Sequence, residues 1–280
     1  MNHSRLPRLS VSRVLISAAV IFSASAAHAD STLDRVNDRK TIVVGVAVGG
    51  GPFGSIDPVT SQLQGFNVWL APDLAARLGV RAELVSVTPP TRIRFLQQGK
   101  VDVLIANMEL TDERKQLLGY VPTPYYRVGG AAIVRGDSDI HQWEDLRGKP
   151  VCDSQGSSYT KPLEQRYGAI VKGFPTSAES LLAFRGNLCV AAVHDNEPQL
   201  SPLVRDNPEW RNYRLLQPDL SPSLSVIWTR KDDTALTQRL DLIVQQWHRS
   251  GWLLEQESRA GLAPPSPLLL ELNARFKNTQ

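Results

Sequence analysis

Between Thr41 and Leu118, apolar runs of strand length alternate with segments of helical period, and this alternation constrains the fold more than any other feature of the 280 residues. Thr41 to Val48 reads as a strand and Arg81 to Val87 as a second. Between them Gly65-Phe66-Asn67 opens a helix with Asn67 as its cap, Leu70, Leu74 and Leu78 on one face and Gly79 as its stop. Pro72 removes an early backbone bond and predicts a kink or a late start. Thr91 to Gln98 forms a second helix, stopped by Gly99, and Val101 to Ile105 a third strand. A β-α-β-α-β order predicts an α/β architecture with a largely parallel sheet and with ligands at the edge where the strand C-termini gather.

A shorter alternation follows. An apolar run spans Gly129 to Val134, and strands are predicted at Val151 to Ser154, Ile170 to Phe174 and Cys189 to Val193, the last ending at His194-Asp195. Helices are predicted at Tyr159 to Tyr167 and from Thr176, where Glu179 completes a capping box and Gly186 is the stop. Leu224 to Trp228 is one more short strand. Leu236, Leu240, Ile243, Val244 and Trp247 then follow helical spacing up to a break at Ser250-Gly251, and a proline-rich linker at 263–267 leads to a final amphipathic piece, Leu268 to Phe276.

Residues 1–29 read as a secretory signal: Arg5, Arg8 and Arg13 precede an apolar run from Val14 to Ala24, and Ala27-His28-Ala29 is a cleavage site of A-x-A type. The segment carries three of the 31 basic residues and no acidic one. The remaining chain is therefore balanced at 28 of each sign, which removes the charge argument for a nucleic-acid partner. Export permits a disulfide, and the two cysteines, Cys152 and Cys189, lie on predicted strands of one segment; a bridge and two buried thiols both remain open.

Gly49, Gly51 and Gly54 match G-x-G-x-x-G by letter, but Pro52 interrupts the run and no helix follows directly, so the glycines point to close backbone approach rather than to a nucleotide. No G-x-S-x-G occurs, and His141, His194 and His248 lack metal-ligand spacing. What remains is a polar set at strand C-termini and adjoining turns: Arg92, Asn107, Glu109 and Arg114 in the first segment, Ser157, Ser158 and Asp195 in the second. Arg114 stands three residues past the predicted N-cap Thr111, where unpaired N–H groups and a helix dipole favour an anion. Taken singly, such charged residues are most often solvated. If the two segments face one another, however, arginines and carboxylates together fit a zwitterion.

In order along the chain, GFNVWLAPDLAARLG (Gly65 to Gly79), RIRFLQQGKVDVLIANMELTDER (Arg92 to Arg114), PYYRVGGAAIVR (Pro124 to Arg135), EDLRGKPV (Glu144 to Val151), QGSS (Gln155 to Ser158) and AAVHD (Ala191 to Asp195) resemble the exported solute-binding proteins of polar amino-acid ABC transporters, the family-3 extracellular binding proteins. The resemblance implies a two-lobe periplasmic-binding-protein type II fold with a hinge and an interlobe ligand cleft. Lobe one would comprise residues 30–127 and 223–280, and lobe two residues 128–222. It implies a periplasmic monomer that needs neither cofactor nor metal, closes on a small amino-acid-like ligand and delivers it to a membrane permease. Arg114 resembles the arginine for the ligand's α-carboxylate, and its loss is expected to abolish binding with little effect on the fold. Asp195 resembles the acidic partner of the α-ammonium, Asn107 and Glu109 occupy turn positions that contact ligand, and Ser158 with Ser157 stands at the hydroxyl position beside a helix N-terminus. Arg92 resembles an arginine used by the acidic-amino-acid subgroup.

Three departures bear on the ligand. Gly50 and Pro89 stand where aromatic residues are common, and Glu109 where a small hydroxyl is usual, so a wider, less aromatic and more charged pocket is expected. Glu109 could hold a cationic group or pair with Arg92 or Arg114. The alternatives on the same fold are an exported enzyme resembling the cyclohexadienyl or arogenate dehydratases, with Glu109 as its acid, and a ligand-sensing partner of a membrane receptor.

Overall fold

The computed structural model describes Met1 and residues 31–49, 51–196 and 200–278. The rest of the predicted signal segment, its cleavage site and Gly50 lie outside the described residues.

Two sheets organise the chain. In the first, strand Thr41–Ala47 is central to a parallel trio with Arg81–Val87 on one side and Val103–Ile105 on the other. Trp228–Thr229 then adds antiparallel to Val103–Ile105, and Gly119–Tyr120 closes the edge. The second sheet has the parallel core Ala191–Asp195, Pro150–Ser154 and Ile170–Phe174, and its long strand Tyr126–Arg135 runs antiparallel to Ala191–Asp195, Tyr213–Leu215 and Leu220–Ser225. The expected parallel order thus holds for three strands of each sheet, while Trp228–Thr229 with Gly119–Tyr120 in the first and Tyr126–Arg135 in the second add antiparallel pairing.

The predicted strand Leu224 to Trp228 is two strands in different sheets, since Leu220–Ser225 belongs to the second and Trp228–Thr229 to the first. The chain crosses between sheets here and once before, and the two crossings lie side by side: Val121 N donates to Ile227 O at 2.8 Å and Tyr125 N to Ser225 O at 3.0 Å. Paired crossings of this kind form the hinge of a two-lobe fold.

The helix after the glycine-rich turn is Phe66–Leu78, and Asn67 is not its cap. The cap position is Gly65, at φ 118°, and the first helical N–H groups are satisfied by the turn itself, Phe66 N by Pro52 O and Asn67 N by Phe53 O. Gly54 permits this folded-back turn, because a Cβ there would sit 2.0 Å from Ala47 O. Asn67 is thereby released for a buried role described below. Pro72 lies well inside the helix, which starts before it and runs on to Leu78.

Helix Thr234–Ser250 returns to the first sheet and buries Leu236, Leu240, Ile243, Val244 and Trp247 against Ile42, Val44, Leu70 and Leu74. Each fully buried side chain of this size contributes about 1.5–3 kcal/mol. The second sheet has its own core around Leu146, Val151, Leu163 and Val193.

Cys152 and Cys189 are bridged, with their Cα atoms 5.7 Å apart; Cys189 precedes its strand, which begins at Ala191. The bridge closes a loop with a sequence separation of 37. Chain-entropy arguments assign ~4 kcal/mol to a loop of that length. Reduction with dithiothreitol, or the double variant C152A/C189A, is accordingly expected to lower the melting temperature, and an unchanged melting curve after confirmed reduction would contradict this.

Candidate functional site

The strand Val103–Ile105 ends in the turn from Ala106 to Leu110, which is held from several directions. Asn107 adopts φ 47°, a left-handed conformation that asparagine tolerates, and its N–H donates to the Tyr125 hydroxyl at 3.0 Å. Its side-chain oxygen accepts from Asn67 Nδ2 at 2.8 Å, which explains why Asn67 is buried rather than capping. Met108 O accepts from Trp228 Nε1 at 2.8 Å, Leu110 N donates to Leu224 O at 2.8 Å, and Ala106 O accepts from Arg92 Nη1 at 2.9 Å. A turn so over-determined presents its side chains at fixed positions.

Thr111 caps the next helix, Asp112–Leu117, by accepting from Arg114 N at 3.3 Å, as the sequence predicts. The Arg114 side chain is buried and turns back on its own turn. Its Nη1 donates to Glu109 Oε2 at 2.6 Å and to Glu109 O at 2.9 Å, while Nη2 reaches Gly156 O at 3.4 Å. Of the partners left open for Glu109, Arg114 is the one it takes. Burial pushes the Glu109 carboxyl up, but Arg114 and Arg92 outweigh burial and hold it below its ordinary range. The Ser158 hydroxyl also faces Glu109 and favours its ionised form, although Oγ lies buried without a hydrogen bond of its own.

The two halves meet around this turn. Ser177 Oγ donates to Gly49 O at 3.0 Å, Lys161 Nζ to Glu113 Oε1 at 2.6 Å, and Gly156 approaches so near that a Cβ would lie 2.9 Å from Pro89 O. Between them is a cavity of about 100 Å³. Of the residues singled out from the sequence, Arg92, Asn107, Glu109, Ser157 and Asp195 line it; Arg114 and Ser158 do not, and stand against Glu109 instead. Four charged side chains, Arg92, Glu109, Asp153 and Asp195, line the cavity, and Phe53 and Tyr159 supply aromatic wall.

Sequence reasoning missed Asp153, Tyr159 and His194, which also line the cavity. Asp153 sits at the C-terminal end of Pro150–Ser154 as Asp195 does on Ala191–Asp195, so the strand-end rule that found one would have found the other. Burial pushes both carboxyls up to about 7. For Asp153, hydrogen bonds from Thr160 Oγ1 at 2.9 Å and Ser154 N at 2.7 Å oppose that rise. For Asp195, the charge of Glu109 adds to it, while the Tyr159 hydroxyl, donating at 2.7 Å, and Arg92 oppose it. Burial lowers His194 to about 3, so this ring is neutral, and its Nε2 pairs with Ser180 Oγ at 2.9 Å. Among the described residues, no three His, Cys, Asp or Glu side chains are grouped to hold a metal ion.

The buried Arg92 and the carboxyls of Asp153 and Asp195 line one cavity, an arrangement suited to a small zwitterion and to reversible capture. Comparison with known proteins agrees with the architecture. The P235GK mutant of ArgBP from T. maritima superposes with a TM-score of 0.75 at 27% identity, covering 82% of this chain and 98% of that one. An ancestral amino acid-binding protein, AncCDT-1, described as a precursor of cyclohexadienyl dehydratase, gives 0.72 at 26% identity, covering 82% and 99%. The glutamine-binding protein of Geobacillus stearothermophilus is 30% identical over 196 residues, 68% of this chain and 73% of the relative. The model of the bacterial extracellular solute-binding proteins, family 3, matches residues 42–259. The chain belongs to that family.

Proposed function

We propose that this protein captures one small amino acid in the cavity between its two sheets and hands it to the membrane permease of an ABC transporter. The supporting observation is that one cavity lined from both halves gathers opposite poles, the buried Arg92 from the first half and the carboxyls of Asp195 and Asp153 from the second. A ligand touching both halves binds the closed state preferentially and shifts the hinge equilibrium toward it. Arg92, Asn107, Glu109, Ser157 and Asp195 would contact the ligand, with Arg114 and Ser158 acting through Glu109. The lobe bounds expected from the sequence, 30–127 with 223–280 and 128–222, would shift by two or three residues to 30–125 with 226–280 and 126–225, because Tyr126–Arg135 and Leu220–Ser225 both lie wholly in the second sheet; the protein would be a periplasmic monomer released by cleavage after Ala29. Relatives named for glutamine and arginine binding support an amino acid as cargo.

Thermal shift against the twenty amino acids tests this reading. A true ligand at a hundredfold excess over its dissociation constant adds ~2.7 kcal/mol of stability. A folded protein that none of the twenty stabilises would remove it.

A second reading, elimination of water from a ligand held in the same cavity, draws on Asp153 and Asp195. As carboxyls near 7, they could donate a proton. Glu109, the acid suggested by the sequence, is held ionised by Arg114 and is a poor donor. Recovery of the bound compound unchanged after long incubation would exclude this reading.

A further inference from the structure

We propose that the ligand's carboxylate is received by Arg92, and that Glu109 is a carboxylate built into the chain which keeps Arg114 for itself. This deepens the capture reading and rests on it. A single carboxylate is accommodated; a ligand with a second one finds the other arginine already occupied.

The argument starts with Arg114. Its side chain is buried, stands outside the cavity lining, and directs Nη1 to both the carboxylate and the carbonyl of Glu109. A ligand carboxylate could reach this guanidinium only by displacing Glu109, leaving a buried anion without its charge-assisted partner. Glu109 also faces Ser158 and Tyr159 in the opposite half, so it already spans the cleft as a ligand carboxylate would. The residue that makes the pocket unusual thus fills one of its two cationic positions.

Arg92 is in the contrary condition. It lines the cavity and is 6% exposed, its Nη1 is fixed on Ala106 O at 2.9 Å, and its Nε is buried with no hydrogen-bond partner. A buried guanidinium edge without an acceptor is costly, and a ligand carboxylate is the group that matches its fork. Anchoring through Ala106 O ties Arg92 to the same rigid turn that carries Glu109. The two arginines therefore occupy fixed positions with one open and one closed. Across the cavity, Asp195 and Asp153 are placed for the cationic pole. With every group ionised, Arg92 and Arg114 face Glu109, Asp153 and Asp195, a surplus of negative charge that admits a neutral or cationic amino acid and disfavours a dicarboxylic one.

Arginine Nε–H resonances of the ¹⁵N-labelled full-length protein test the assignment, with acetate as a minimal carboxylate. Arg92 and Arg114 peaks are assigned by their loss in R92K and R114K, or by through-bond correlation to the backbone if a variant does not fold. The Arg92 peak is expected to move with acetate while the Arg114 peak stays, and in E109S, which removes the carboxylate that holds Arg114 Nη1, both are expected to move. Movement of the Arg114 peak alone in the unaltered protein, or an E109S protein whose Arg114 remains silent, would overturn the proposal. Amino-acid capture fails separately: an acetate response at Arg92 with no amino acid bound sinks capture and supports the carboxylate seat. An amino acid that binds while displacing Glu109 from Arg114 supports capture and overturns the seat.

Discussion

Arg114→Met is expected to destabilise the protein by about 3–5 kcal/mol, the usual cost of leaving one member of a buried ion pair without its partner. Sequence alone points the other way, since an arginine facing a ligand cleft could be removed with little effect on the fold. The pairing reverses that expectation: Arg114 and Glu109 are both buried, and 2.6 Å separates Nη1 from Oε2. The loss should appear in urea denaturation as a lower midpoint with an unchanged slope, because the surface exposed on unfolding stays the same. The double variant E109Q/R114M should recover most of it, since no uncompensated charge is left in the interior. An R114M protein with the unaltered midpoint would show that Glu109 finds solvent or another partner. If the double variant is no better than the single one, the loss comes from packing or from the contact to Gly156.

Val103–Ile105 was legible because a buried parallel strand reads as a continuous apolar run, and the outer strands Arg81–Val87 of the first sheet and Ile170–Phe174 of the second match their predicted limits. Caps were legible where a side chain does the capping: Thr176 with Glu179, and Thr111 with the backbone of Arg114. Asn67 does not cap because the groups that satisfy the first helical N–H are the carbonyls of Pro52 and Phe53, which lie on a folded-back turn that local sequence does not reveal. Leu224 to Trp228 divides for a related reason, since one apolar stretch serves two sheets and only tertiary pairing separates them.

The site shows the same division. Arg92, Asn107, Glu109, Ser157 and Asp195 were found because strand ends and turns are where such folds gather polar groups. Which arginine is closed by Glu109 was not legible. The choice depends on side-chain direction across a turn, and both arginines were open to it on spacing alone.

Ligand binding at pH 6 is expected to release on the order of one proton, and the release should fade as pH rises past 7. The sign follows from Asp195 and Asp153, whose carboxyls burial holds up at about 7, well above the ordinary 3.8. At pH 6 both are largely protonated in the unliganded protein, and an ammonium placed against them favours the charged form, so protons leave as the ligand enters. Affinity should therefore rise with pH through 7, measured by calorimetry in two buffers of different ionisation enthalpy; identical heats in both at pH 6 would contradict the placement of the cationic pole. The same groups set the stability of the protein without ligand, with the opposite trend. A carboxyl whose folded value is raised keeps a proton that the unfolded chain has already lost, so between about 4 and 7 stability falls as pH rises. Asp153, with no solvent exposure, contributes most directly, and Asp153→Asn should flatten that slope while keeping an acceptor for Thr160. Ligand and pH thus act on one pair of carboxyls: the charge that burial makes costly in the unliganded cleft is the charge that a bound ammonium neutralises.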